Sequence, residues 1–499
     1  MISAIQWIRK GAAARHPNKY DLNDEEYNRI SKLAAEELED AKEELKAAEA
    51  MAVDSTKSDG DKKEDDELAI YNLDNYEAEV EASKKKVGIF SNIKDLSYYE
   101  NDSEDPYITL KENVDEEEEK QELEILPTDN MLLAAKTEDD ISQLEVYVYE
   151  ENEDNLYVHH DIMLPAFPLC LEWLDFHTNP NKLNNQNNNT AGNYVAIGTF
   201  DPNIEIWDLD TIDVMFPETI LGYTDKTKKR SKKVNSEYHV DAIMDLAWNK
   251  HHRNFLLSSS ADGTVKLWDL TTSKCVQSYT HHTDKVQSVV WYPTEPTVFI
   301  SGSYDKTVCV LDARSPNEVT RWTLTSDVES IRWDPHQPSC FYVAMENGMV
   351  QYYDVRQPGK ALFTLQAHDD AVSALDVNPL VPNCIATGST DKSIKIWNTT
   401  DNKPSMVTSR NFELGRIFDA QFCPDSPFQL AIAGSNGKMH VWDMSSNAGV
   451  RQAFRHQSLA IADSVEEKKP VTTLDDEEED DDMEDDEPLR EEDMEEDSD

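Results

Sequence analysis

A short segment of this chain keeps returning. SSADGTVKLWD occupies residues 259–269, and its pattern recurs as SGSYDKTVCVLD at 301–312, TGSTDKSIKIWN at 387–398 and, more loosely, AGSNGKMHVWD at 433–443. The residue that closes each copy falls at Asp208, Asp269, Asp312, Asp354, Asn398 and Asp443, giving intervals of 61, 43, 42, 44 and 45 residues. A spacing of ~40–45 residues is the length of one four-stranded propeller blade. The long interval contains the polar stretch 221–237 with KTKKRSKK, which reads as an inserted loop, and NPNKLNNQNNNTAGN at 179–193 is a second polar stretch in the same unit. The segment 123–150 imitates the same strand and turn order with Tyr149 at the aromatic position, which brings the units to seven. Seven lies within the ~4–8 blades of closed propellers, and closure matters because it leaves no long unpaired edge. The expected fold is therefore all-β, a seven-bladed propeller.

Within a unit the apolar pattern has period two, with Val265 and Leu267 on one face of the strand and Lys266 and Trp268 on the other, as in a half-buried strand. Upstream, DAIMDLAWN, KVQSVVWYP and DVESIRWDP form a second strand type ending in Trp248, Trp291 and Trp333. Three units share a further coincidence. His239, His282 and His368 each precede the position of Trp268, Leu311 and Trp397 by 29 residues, with Asp262, Asp305 and Asp391 six residues before it. These residues resemble the WD-repeat propeller family. The resemblance implies a hydrogen-bonded tetrad of His, Ser or Thr, Asp and Trp in each such blade, with Ser260, Ser303 and Ser389 as the hydroxyls. Leu311 has no donor, so the second tetrad is expected to be incomplete. The unit ending at Asp354 has Met345 and Asn347 at the Ser and Asp positions and no His, so packing alone is expected to hold it.

The net charge of -53 is unevenly spread. Residues 21–126 carry 13 basic and 35 acidic side chains and residues 475–499 carry 1 and 19, whereas residues 1–20 carry four basic and none acidic. The domain expectation is an N-terminal extension at 1–118, a propeller at 119–456 and an acidic, disordered tail at 457–499. In the extension, Asn23 and Glu26 make a capping box, and Tyr27, Ile30, Ala34, Leu38, Ala41, Leu45 and Ala48 recur at helical spacing. An amphipathic helix over about 24–50 follows, lying on its own propeller or on a partner. The aromatic segment 87–110 reads as a partner contact or an addition to the propeller. The tail is either a solubility element or a polyanion mimic that screens basic proteins. Lys226, Lys228, Lys229, Arg230, Lys232 and Lys233 crowd one loop, which suits nuclear localisation, a phosphate-backbone contact or simple solvation. Ser58 and Ser498, each followed by Asp, are candidate phosphorylation sites.

Six scattered cysteines with no C-x-x-C pair fit a reducing compartment. No apolar run approaches the ~20 residues that span a bilayer. The acid-free opening AIQWIRKGAAARHPNKY has some character of a mitochondrial presequence but lacks its serine richness. The motifs of zinc proteases, phosphate loops and nucleophile elbows are missing, and GSNGKM at 434–439 reads as a hairpin turn. The adjacent pairs His159-His160, His251-His252 and His281-His282 would point to opposite faces of a strand and so could not grip one metal. A binding platform without catalysis, cofactor, metal or small-molecule substrate is expected.

Beyond the repeats, the opening MISAIQWIRKGAAARHPNKYDLNDEE, the acidic helix, the basic insertion and the acidic C-terminus are similar to those of a nucleolar branch of the WD-repeat family. That resemblance implies a scaffold or assembly factor in ribosome biogenesis, acting on early large (60S) subunit precursors and supporting processing of precursor rRNA. Its implied partners are the pre-ribosomal particle with its assembly factors, ribosomal proteins and precursor rRNA, and its implied place is the nucleus and nucleolus. The alternative is a chromatin-associated, histone-binding propeller. A ubiquitin-ligase adaptor is disfavoured because no adaptor-binding element is recognisable outside the repeats.

Overall fold

Alternating apolar residues, β-branched and aromatic types, and turn residues at fixed offsets fold each repeat into a four-stranded antiparallel sheet. In the computed structural model, residues 1–20, 123–151, 153–178, 191–222, 233–357, 359–454 and 468–472 are described. They form a seven-bladed β-propeller. From the axis outwards, blade 1 consists of Ile2–Ile8, Asn130–Glu138, Ile141–Glu150 and Asn155–Leu164. Blade 2 has Pro168–Phe176, Ala191–Thr199, Ile204–Asp208 and Thr219–Leu221, and blade 3 has Ile243–Trp248, Phe255–Ser260, Val265–Asp269 and Lys274–Tyr279. Blade 4 contains Val286–Trp291, Val298–Ser303, Thr307–Asp312 and Val319–Thr323. Blade 5 contains Val328–Trp333, Cys340–Met345, Met349–Asp354 and Ala361–Gln366. Blade 6 runs through Ala374–Val377, Cys384–Gly388, Ile394–Asn398 and Ser405–Arg410, and blade 7 through Ile417–Phe422, Gln429–Gly434, Met439–Asp443 and Val471–Thr472.

Two boundaries differ from the sequence expectation. The inner strand of blade 1 is Ile2–Ile8, paired antiparallel with Asn130–Glu138, so the first residues belong to the wheel and not to an extension over 1–118. They are held there by burial: Ile2, Ile5, Trp7 and Ile8 are all buried. At the other end, Val471–Thr472 pairs with blade 7 through His440 and Val441, so the wheel also reaches past 456. A short parallel pair, Asn18–Lys19 with Thr211–Ile212, ties the start of the chain to blade 2.

The hairpin between the second and third strands shows the repeat at its most exacting. Its positive-φ position is Gly263 in blade 3 (φ 77°), Gly348 in blade 5 (φ 79°) and Gly437 in blade 7 (φ 76°), but Lys306 (φ 63°) and Lys392 (φ 70°) in blades 4 and 6. Glycine takes this conformation freely; a lysine there pays a steric cost that the rest of the hairpin overcomes. The strands are more deeply covered than the half-buried pattern suggested. Val265, Lys266, Leu267 and Trp268 are all buried, because each blade is packed on both faces by its neighbours. Lys266 lies inside by giving its ammonium to the Asn235 carbonyl (2.6 Å) and the Ser278 hydroxyl (2.8 Å).

The helix expected at about 24–50, the aromatic segment 87–110, the tail at 457–499 apart from 468–472, Ser58, Ser498 and five of the six loop cations lie outside the described residues. Lys233 is described and sits exposed in a bend. All six cysteines carry free thiols. Among the described residues no helix is long and apolar enough to cross a membrane.

Candidate functional site

Two sets of side chains give the wheel its chemistry: buried clips within the blades and charged groups around the axis. In blade 3, His239 Nδ1 donates to Asp262 Oδ2 (3.0 Å), Ser258 Oγ donates to His239 Nε2 (2.7 Å), and the Trp268 indole N–H donates to the same Oγ (2.8 Å). Thr264 Oγ1 adds a bond of 2.6 Å to Asp262. Blade 6 repeats this with His368, Asp391, Thr387, Trp397 and Ser393. Burial holds His239 and His368 below the usual imidazole range despite their carboxylate partners, which favours the neutral ring in both.

The hydroxyl of each clip therefore lies two residues before the one expected. Ser258, Ser301 and Thr387 do the clipping, while Ser260, Ser303 and Ser389 brace the turn that follows. Ser260 donates to the Asp241 carbonyl (3.1 Å) and accepts the Asp262 N–H, and Ser303 does the same with Asp284 and Asp305. Ser389 accepts the Asp391 N–H. Residues two apart share a strand face, so the pattern admits either hydroxyl. The cross-strand register, which sets Ser258 opposite Lys266, decides between them.

In blade 4, His282 reaches Asp305 (3.0 Å) and Ser301 (2.9 Å) as its sisters do. Leu311, buried at the indole's place, offers no donor, and His281 Nε2 approaches Ser301 Oγ at 2.9 Å. Blade 5 uses more than packing. Tyr342 and Tyr352 stack with ring centroids 4.2 Å apart, and Tyr352 donates to Asp334 (2.8 Å) while Tyr342 bonds Thr399 (3.1 Å).

The inner strands of all seven blades line one central cavity of about 800 Å³. Among the charged residues that line it are the carboxylates Glu172, Asp245, Asp376 and Asp419 and the guanidinium of Arg332. Each carboxylate accepts a backbone N–H from the next blade: Glu172 from Trp248 (3.1 Å), Asp245 from Val289 (2.9 Å), Asp376 from Phe422 (2.8 Å) and Asp419 from Ile5 (3.1 Å). The acids are thus seam bonds as well as a source of negative potential. Arg332 lies 3.7 Å from Asp376, and the four acids hold it above the usual guanidinium range against the effect of burial. Burial pushes Glu172 up to about 7 and Asp376 up to about 6, with Arg332 opposing the rise at Asp376. Sequence reading passed over these five residues. The available signal was a charge inside an otherwise apolar strand, as in IMDLAW, SIRW and IFDAQF.

A group whose folded pKa exceeds its unfolded value holds its proton longer when folded. Its stabilising contribution is complete below the unfolded value and is lost as pH rises through the folded one. Glu172→Gln keeps an acceptor for the Trp248 N–H but cannot ionise. The variant is expected to match the parent at pH 4 and to exceed it by about 1–2 kcal/mol at pH 8, with channel water reducing the full linkage effect. Urea unfolding at both pH values reads this. Equal stability differences at the two would show that Glu172 titrates normally.

Comparison with known proteins agrees with this geometry. The model of the WD domain, G-beta repeat, matches residues 232–269, 273–312 and 359–398. An uncharacterized WD repeat-containing protein of Schizosaccharomyces pombe is 44% identical over 94% of this chain and 93% of its own length. Periodic tryptophan protein 1 of Saccharomyces cerevisiae is 36% identical over 92% of this chain and 90% of its own. The Drosophila melanogaster homolog of that protein is 31% identical over 91% and 96% respectively.

Proposed function

Because the chain belongs to the periodic tryptophan protein 1 family of WD-repeat proteins, we propose that it is a non-catalytic scaffold of ribosome biogenesis, assembling on early large-subunit precursors in the nucleolus and supporting precursor rRNA processing. The observation that carries this reading is similarity along nearly the whole chain rather than over the repeats alone. Physical chemistry supports it in two ways. A closed wheel presents seven related but individually varied edges on a rigid frame, which suits simultaneous contact with several partners. An acidic axis and strongly acidic flanks complement basic proteins such as ribosomal proteins, while the basic loop at 226–233 complements RNA phosphate.

The test is gentle purification of the tagged full-length protein from cells, with sequencing of bound RNA and identification of bound proteins. Precursor large-subunit RNA with ribosomal proteins and assembly factors is expected. Histones and nucleosomal DNA without precursor RNA would replace this reading with the chromatin one.

A further inference from the structure

Blade 4 departs from blades 3 and 6 at three positions, and all three surround one hydroxyl. Tyr238 and Ala367 precede the clip histidine in the sister blades, whereas His281 precedes it here. Lys266 and Lys395 stand opposite the clip hydroxyl in the sisters, whereas Cys309 stands opposite Ser301. Trp268 and Trp397 complete the other clips, whereas Leu311 stands there without a donor. A cationic donor, a neutral residue and an indole have been exchanged for a thiol, an imidazole and an aliphatic side chain with no donor.

The exchange gathers metal-ligand atoms. One ligand atom each of His281, His282 and Cys309 lies within 4.8 Å of the others. The adjacency argument against such a pair fails because the two histidines precede the inner strand instead of lying within a strand, and their ring centroids are 4.4 Å apart. A bulge has a similar effect on His159 and His160, whose Nδ1 atoms come within 2.8 Å, but that pair has no thiol beside it in the same cluster. His282 gives its Nδ1–H to Asp305, which orients the ring with Nε2 inward, the usual arrangement of a metal-bound histidine. His281 is anchored at Nε2 only, since its buried Nδ1 has no partner, so the ring can turn without breaking a second bond. Cys309 is fully buried, 4.0 Å from the Thr307 hydroxyl.

The geometry points to a site in blade 4 for a single Zn2+ ion, held by His281, His282 and Cys309, with Ser301 or a water in the fourth position. Two imidazoles and a thiolate form a mixed N and S set that zinc accepts. Zinc ligands at ~2.0–2.3 Å from the metal lie about 3.3–3.8 Å from one another. A contraction of about 1 Å is therefore needed, with the ion replacing Ser301 Oγ as the imidazoles' shared partner. Cys309 binds as thiolate, so one proton leaves for solvent on uptake. The thiolate and Asp305 together balance the charge of the ion; Arg321, opposite Cys309 with its guanidinium on the His281 carbonyl (2.6 Å), is a neighbouring cation that weakens the site.

Co2+ titration of the full-length protein, stripped by chelator and kept reduced, separates this site from weak binding by the acidic segments. One equivalent of Co2+ is expected to give a thiolate-to-cobalt charge-transfer band in the near ultraviolet, removed by Zn2+. The band should vanish in Cys309→Ala, and the affinity should fall at least ~10-fold in His281→Ala. Cys275→Ala, in blade 3, should leave the band intact. If Cys309→Ala does not fold, His281→Ala carries the test, since its ring makes no bond to the clip aspartate. Cobalt uptake without a charge-transfer band, or a band that survives both variants, would overturn the site.

Discussion

Trp7→Ala is expected to destabilise the wheel by about 3–5 kcal/mol, the range for truncating a large buried aromatic. Trp7 is 3% exposed, packs edge-on to Tyr149 of blade 1 with centroids 6.5 Å apart, and donates its indole N–H to the Gln421 carbonyl of blade 7 at 3.0 Å. Its cluster takes residues from both blades, including Leu132, Tyr147, Ala431 and Val441. Gln421 returns a bond to the Ile5 carbonyl (2.7 Å), and Asp419 accepts the Ile5 N–H. The first strand is thus the closing element between the last blade and the first. Trp7→Phe keeps most of the buried ring and loses the N–H, and should cost about 1–2 kcal/mol. Deleting residues 1–8 should prevent cooperative unfolding altogether, since the inner edge of blade 1 and the seam with blade 7 are both left open. Urea unfolding followed by tryptophan fluorescence and limited proteolysis measures all three. A truncated chain that unfolds like the parent would mean that the ring closes without its N-terminal strand.

The same seam shows what a linear reading can and cannot reach. The period of the repeats exposed the propeller because blade length is a local property of the chain. The strand Ile2–Ile8 was not assigned to it, because more than a hundred residues separate the strand from its partner at Asn130–Glu138 and the acidic stretch between them dominates the composition. Its signal was present, since SAIQW ends in tryptophan as IMDLAW and VQSVVW do. The corresponding indole of Trp291 pins blade 4 to the Ala247 carbonyl of blade 3 at 2.9 Å, as Trp7 pins blade 1 to blade 7. Trp268 and Trp397 thus clip a blade internally, whereas Trp7 and Trp291 join a blade to its neighbour. The choice of Ser260 over Ser258 failed for a different reason: alternation identifies a strand face but not the register of the partner strand. The axial charges were illegible as a group because each comes from a different blade, and only the closed ring brings Glu172, Asp245, Arg332, Asp376 and Asp419 together.

The clips allow a sharper comparison, because blade 4 is a natural variant of blade 3 within one molecule. His239→Ala is expected to cost about 3–5 kcal/mol, since it removes one partner of a buried pair and leaves the other behind. The Asp262 carboxylate would keep only Thr264 and backbone donors, and Ser258 would lose the acceptor for its own proton while still receiving the Trp268 indole N–H. No second histidine stands near enough to fill the gap, because Tyr238 occupies the place that His281 holds in blade 4. His282→Ala leaves Ser301 bonded to His281, and its cost is expected to be about half as large, because one of the two orphaned groups is still satisfied. Both variants are compared by urea unfolding of the full-length protein with a chelator present, so that no bound cation contributes to blade 4. The larger loss for His239 follows if the clip is a fully satisfied network in blade 3 and a substituted one in blade 4. Equal losses would mean that the histidine acts in both blades mainly by filling space, and that the indole bond to Ser258 adds little to the stability of the blade.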